Sequence, residues 1–160
     1  MTHNLPSSRT VRNSVTMNFR QGAWYSLEVP SIPEEISEVE EAIADALSHS
    51  SFCETDVFAV RLALDEAVTN AMKHGNRSDP KKKVFIRFCI EDSAITISVR
   101  DEGPGFDYRD VPDPTADENL ELPSGRGLLL MRSYMDSVVF NEAGNEVTMI
   151  KRMGGGSCAR

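Results

Sequence analysis

Two long stretches carry apolar residues at helical spacing, and several shorter ones alternate apolar with polar. Ile36, Val39, Ile43 and Leu47 fall on one helical stripe, with Glu35, Glu38, Glu41 and Asp45 on the face turned to solvent. Ser31-Ile-Pro-Glu34 reads as a capping box with proline in the first turn, so this helix is expected to run from there to about His49. Ser51-Phe-Cys-Glu54 offers a second capping box, opening a helix to about His74 with Val57, Val60, Leu64, Val68 and Ala71 inward and Gly75 as its C′ stop. Between Lys83 and Glu91, Val84, Ile86, Phe88 and Ile90 share one face, and Ile95, Ile97 and Val99 do the same between Ala94 and Arg100. The short Glu91-Asp-Ser93 link makes these two an antiparallel hairpin. Val15–Phe19 and Trp24–Val29 are candidate short strands, the former at an edge, and Val138–Phe140 with Glu146–Arg152 form a second hairpin around Gly144-Asn145. A helix starts at Gly125 and continues to Met135. One buried face per strand calls for helices on that side, so the pattern predicts an α+β two-layer sandwich.

No period survives from Asp101 to Ser124, which holds four prolines. From Asp107 to Ser124 there are six acids against one arginine, concentrating −5 of a formal net charge of −8 in one loop. A loop this long in a compact domain is a functional candidate or disordered. The 160 residues suit one domain, and 40% apolar content suffices for a core. The acidic balance argues against direct nucleic-acid binding. It also means that a bound anion would need cations gathered locally. Cys53, Cys89 and Cys158 are far apart and show no CxxC, so a zinc or redox motif is unsupported. Cys53 and Cys89 lie in apolar runs and are expected to be buried thiols, fitting a reducing cytoplasm. No signal-peptide core is visible at the N-terminus, and no apolar run approaches the roughly 18 residues of a membrane span.

Three stretches carry candidate chemistry. In Leu64–Gly75, Glu66 and Asn70 are one turn apart on one face, and Asn70 is a poor helix former. A carboxylate and an amide oxygen so placed can hold a divalent metal and a hydroxyl together; the alternative is a solvated polar face. Asp101-Glu-Gly-Pro-Gly-Phe106 follows a strand. Its aspartate can accept from an exocyclic amine such as that of adenine, and Gly103 and Gly105 have no Cβ to keep a flat ring from the backbone; the alternative is an ordinary Gly-Pro-Gly turn. Ser124-Gly-Arg-Gly-Leu128 opens a helix with glycines and an arginine, which suits phosphate; the alternative is a glycine hinge. The chain has no Walker GxxxxGK[ST], and no GxGxxG in a βαβ setting.

In this order the three stretches resemble the GHKL ATPase superfamily, and within it the bacterial anti-sigma factor serine/threonine kinases. Asp65-Glu-Ala-Val-Thr-Asn-Ala71 with His74-Gly75 is similar to their N box, Asp101–Phe106 to the first glycine box, and Gly125–Met131 with Met135-Asp136 to the second. The resemblance covers about residues 15–152. It implies a mixed, mostly antiparallel sheet covered on one face by three helices. It further implies an ATP-binding kinase domain over residues 14–152 with an ATP lid at about 107–124; by composition, residues 1–13 read as a flexible arm and 153–160 as a flexible tail. Glu66 would be the general base and Asn70 a Mg²⁺ ligand. Asp101 would read adenine, while Gly103 and Gly105 shape the base pocket. Gly125, Arg126 and Gly127 would close on the phosphates. Lys73 and His74 would be phosphate neighbours, with a cation-favoured helix C-terminus as the alternative. Partners implied are a STAS-domain anti-anti-sigma protein as substrate, a sigma factor or equivalent as sequestered protein, and a second copy in a homodimer.

Mg²⁺ is also expected on electrostatic grounds. Glu66 beside a triphosphate sets like charges together, at roughly 4 kcal/mol per unit pair at ~4 Å and an effective dielectric of ~20. Arg126 alone would not offset several such terms. The competing function is a nucleotide-dependent sequestration module without kinase activity, which would have little need of Glu66. A detached sensor-kinase catalytic domain fits less well, since the short N-terminal region offers no phosphoacceptor helices.

Overall fold

The structure is a computed structural model that describes residues 9–10, 18–106 and 126–154. The 107–124 loop, Gly125 and the chain beyond residue 154 lie outside the described residues. Six strands form one sheet in the order β1-β2-β3-β4-β6-β5: β1 Arg9–Thr10, β2 Trp24–Pro30, β3 Lys83–Ile90, β4 Ala94–Arg100, β5 Ser137–Phe140 and β6 Glu146–Arg152. Only β1 pairs in parallel, with β2; the remaining pairs are antiparallel. The sheet therefore begins inside the segment expected to be a loose arm. Of the expected Val15–Phe19 strand, residues 15–17 lie outside the described residues, and Asn18 and Phe19 are not in a strand.

The register places alternate side chains on one covered face. Tyr25, Leu27 and Val29 of β2, Val84, Ile86 and Phe88 of β3, and Ile95, Ile97 and Val99 of β4 are buried there, joined by Val147 and Met149 of β6. Three helices cover them: α1 Ile36–Ser48, α2 Glu54–Asn70 and α3 Arg126–Tyr134. Val39, Ile43 and Leu47 of α1, Val60, Leu64 and Val68 of α2, and Leu128 and Met131 of α3 complete the core. Each large aliphatic or aromatic side chain buried there contributes about 1.5–3 kcal/mol relative to exposure. On the sheet's other face, the Arg87 guanidinium lies 5.0 Å over the Trp24 ring and that of Arg100 4.8 Å over Phe85. Cation–π contact and side-chain stems cover the aromatics there in place of a helix.

The helix starts differ from expectation. A 3-10 turn at Pro33–Glu35 leads into α1, and neither helix start has a side-chain cap. Ser31 is buried, and its hydroxyl accepts from the Asn76 amide at 2.8 Å instead of capping. The end of α2 also departs from expectation: Ala71–Gly75 is one π-helical turn, in which Asn76 N–H donates to the Ala71 carbonyl. Gly75 is not a left-handed C′ residue; that conformation falls on Arg77 and Ser78, at φ 53° and 57°. Cys89 is a buried free thiol as expected. Cys53 differs from expectation: it stands partly exposed at the start of α2, not inside an apolar layer.

Candidate functional site

The apolar stripe of α2 fixes its rotation. With Ala63, Leu64, Ala67 and Val68 pressed on the core, Asp65, Glu66, Thr69 and Asn70 fall on the half-buried flank. The N-terminus of α3 packs across that flank. A Cβ built on Gly127 would lie 2.6 Å from Glu66 Oε2 and 3.1 Å from Asn70 Nδ2. Any side chain there would push the base and the amide aside, so glycine is required by close approach. Glu66, Asn70 and Gly127 are thus brought together, and Arg126 stands exposed as the first residue of α3 beside them. Burial pushes the Glu66 carboxyl above its ordinary value, helped by the neighbouring Asp65 charge and opposed by Lys73.

A second cluster forms where the π turn meets the end of β4. A Cβ on Gly75 would stand 2.2 Å from the Asp101 carboxylate, and one on Gly103 would stand 2.1 Å from the Gly75 carbonyl oxygen. Asp101 Oδ1 accepts from Gly103 N–H at 2.7 Å, which fixes the carboxylate. Burial raises its pKa, while the Gly103 hydrogen bond and Lys82 pull the other way. Gly105, at φ 81°, packs differently from expectation: a Cβ there would stand 1.7 Å from the Ala143 carbonyl oxygen in the β5–β6 turn. Its glycine therefore serves the backbone of this fold.

Lys73 and His74 are both exposed on the π turn. Lys73 acts electrostatically on Glu66, whereas His74 makes no described contact with the site residues. Gly125 lies outside the described residues.

Sequence reasoning missed Asn76. It is fully buried, and it donates to Ser31 Oγ and to the Lys83 carbonyl, each at 2.8 Å. Its Oδ1 accepts from Glu102 N–H at 2.8 Å. One amide thus ties the lead-in to α1, the start of β3 and the turn that holds Asp101. The signal is weak, because an asparagine beside Arg-Ser-Asp-Pro reads as ordinary turn composition. A separate groove of about 610 Å³ between α1 and α2, lined by residues such as Leu47, Phe52 and Phe58, shares no residue with this site.

The arrangement offers a raised carboxylate next to an amide and a glycine-opened helix N-terminus, with an aspartate against the π turn that continues α2. Among the described residues no group of three or more His, Cys, Asp or Glu is arranged so that it could hold a metal ion. Glu66 and Asn70 do not form a complete protein cage for a cation, and fit one that phosphate oxygens also ligate.

The chain is similar to known proteins over most of its length. Residues 29–151 match the histidine kinase-like ATPase domain. The serine-protein kinase RsbW of Bacillus subtilis (strain 168) is 30% identical over 141 residues, 82% of this chain and 87% of its own length. The anti-sigma F factor of Oceanobacillus iheyensis is 31% identical over 133 residues, covering 80% and 91%. The serine-protein kinase RsbW of Staphylococcus aureus (strain JH9) is 31% identical over 133 residues, covering 78% and 84%.

Proposed function

The chain belongs to the histidine kinase-like ATPase domain family, and from that premise we propose that it is an ATP- and Mg²⁺-dependent protein serine kinase and anti-sigma factor. It transfers phosphate to a serine of a STAS-type antagonist and sequesters a sigma factor or equivalent partner. The observation that carries this reading is the meeting of Glu66, Asn70 and the α3 N-terminus at one point, with Gly127 lacking the atom that would part them. The relatives' names supply the serine and the sigma factor.

Bound Mg·ATP supplies the transferable phosphoryl group and the divalent charge that neutralises its oxygens. The residues do the rest. The Asn70 amide oxygen holds the cation. Arg126 and the backbone N–H groups at the start of α3 take phosphate oxygens. Asp101 accepts from the adenine amine, held in place by Gly103 N–H. Glu66 takes the proton of the attacking serine hydroxyl, and burial raises its affinity for that proton.

Among the described residues no helix is long and apolar enough to cross a membrane. The protein works in the cytoplasm, as a homodimer.

The test is incubation with labelled Mg·ATP and candidate STAS proteins. Transfer to serine is expected, and Glu66→Gln should lower it by about 10²–10⁴-fold with Mg·ATP affinity kept within a few-fold. Nucleotide binding without transfer, unchanged by Glu66→Gln, would establish the sequestration module instead.

A further inference from the structure

An acidic chain carries one strongly basic strip. Between residues 73 and 83 stand five lysines and arginines against a single acid. That acid, Asp79, is used within the turn: its side chain accepts from Lys81 N–H and its carbonyl from Lys82 N–H, each at 3.0 Å. Lys83 pairs with Glu28 on the sheet. Lys73, Arg77, Lys81 and Lys82 form no ion pair with any described residue. Lys73, Arg77 and Lys81 are exposed. In a molecule of net charge −8, four cations in ten residues with no ion pair among the described residues are a local excess, even though Lys73 and Lys82 also act at longer range on Glu66 and Asp101.

Their position separates them from the phosphates. The phosphate end of the proposed site is at Glu66, Asn70 and the start of α3. Arg77, Lys81 and Lys82 follow the π turn, at the end where Asn76 binds Glu102 and Gly75 meets Asp101. That is the base end, and adenine carries no charge that would call for cations. The strip is also held rigidly. Asn76 anchors it from beneath, and Arg77 and Ser78 are kept in the left-handed region, where residues other than glycine are seldom found.

We propose that Arg77, Lys81 and Lys82, with Lys73 at the edge nearest Glu66, form a docking surface for an acidic segment of the phosphoacceptor protein. The inference rests on the kinase reading above for the identity of the occupant. Charge complementarity of this kind guides encounter and orientation, and is weakened by salt. It would bring an acceptor to the rim of the site without drawing on Asn70, Asp101 or Arg126.

The test is the double variant R77E/K81E, compared with R20E/R152E, which carries the same net charge on other exposed arginines. In steady-state transfer to a STAS-domain acceptor, R77E/K81E should raise the KM for acceptor about tenfold or more at low salt. Its KM for Mg·ATP and its kcat should stay at wild type. Raising salt should raise the acceptor KM of wild type and of R20E/R152E but leave that of R77E/K81E nearly flat. An unchanged acceptor KM, a parallel rise in the KM for Mg·ATP, or an equal loss in R20E/R152E would each overturn the proposal. If no acceptor is phosphorylated at all, the kinase reading fails separately, and anisotropy of a labelled oligoglutamate peptide still reads the strip. Salt-sensitive binding lost only in R77E/K81E supports the surface; equal binding by all three proteins sinks it.

Discussion

At the scale of single residues, the two carboxyls of the site are both shifted upward by burial, with different consequences. For Glu66 the shift bears on rate. Its active form is the carboxylate, so transfer should rise with pH through a midpoint above the ordinary 4.5 and then level off. Lys73 lowers that midpoint, so Lys73→Met should move it upward, read from kcat against pH. For Asp101 the shift bears on stability. Its folded-state pKa exceeds the unfolded one, so the folded protein is penalised as pH rises from the ordinary 3.8 through the folded value. Asp101→Asn lacks this penalty and keeps an oxygen able to accept from Gly103. The nucleotide-free variant should therefore have a higher urea midpoint than wild type near neutrality. The difference should vanish below the ordinary carboxylate range, and adenine binding should be lost. A midpoint unaltered at pH 7 would show that the Asp101 charge does not strain the fold.

At the scale of elements, the sequence pattern carries the strands well because each has one covered face, and alternation is the direct trace of that. Val84, Ile86 and Phe88 against Phe85 and Arg87 can be assigned without knowing the partner strand. The Glu66–Asn70 pair is legible for the same reason, since helical spacing alone sets it. The π turn, the true reason for Gly75 and the work of Asn76 are not legible. Each depends on residues distant in sequence: Asp101, Glu102, Ser31 and Lys83. Ser31 misleads because a serine three residues before a glutamate fits a cap as well as it fits a buried acceptor. The Asn76 network gives an element-scale prediction. Asn76→Ala strands the Glu102 N–H, the Lys83 carbonyl and the Ser31 hydroxyl, and an unsatisfied buried group costs about 1–3 kcal/mol. A loss of at least about 2 kcal/mol in chemical unfolding is expected, together with weaker discrimination of ATP from GTP as the Asp101 turn loosens. A variant with wild-type stability and selectivity would reduce Asn76 to a spectator.

At the scale of the whole molecule, α2 is the axis: its core face holds the helix layer to the sheet, its flank carries the base and the amide, and its far end meets the Asp101 turn. Nucleotide should therefore stabilise the fold globally. At a hundredfold excess over Kd the gain is about 2.7 kcal/mol, which for a chain of this size raises Tm by roughly 5–10 °C. Calorimetry with Mg·ATP should show this shift, and EDTA should remove most of it. A full shift persisting in EDTA would mean that the cation does not bind with the nucleotide.

Gly75, Asp101 and Gly103 occupy the space that one another's side chains leave empty. Such mutual exclusion shapes which variants are reachable. Adding a methyl group at Gly75 strikes Asp101, shortening Asp101 to make room removes the acceptor for Gly103, and adding one at Gly103 strikes Gly75 again. Selection for a different base should stall in libraries that diversify one of the three positions. Any escape would have to come from clones altered at two or all three together.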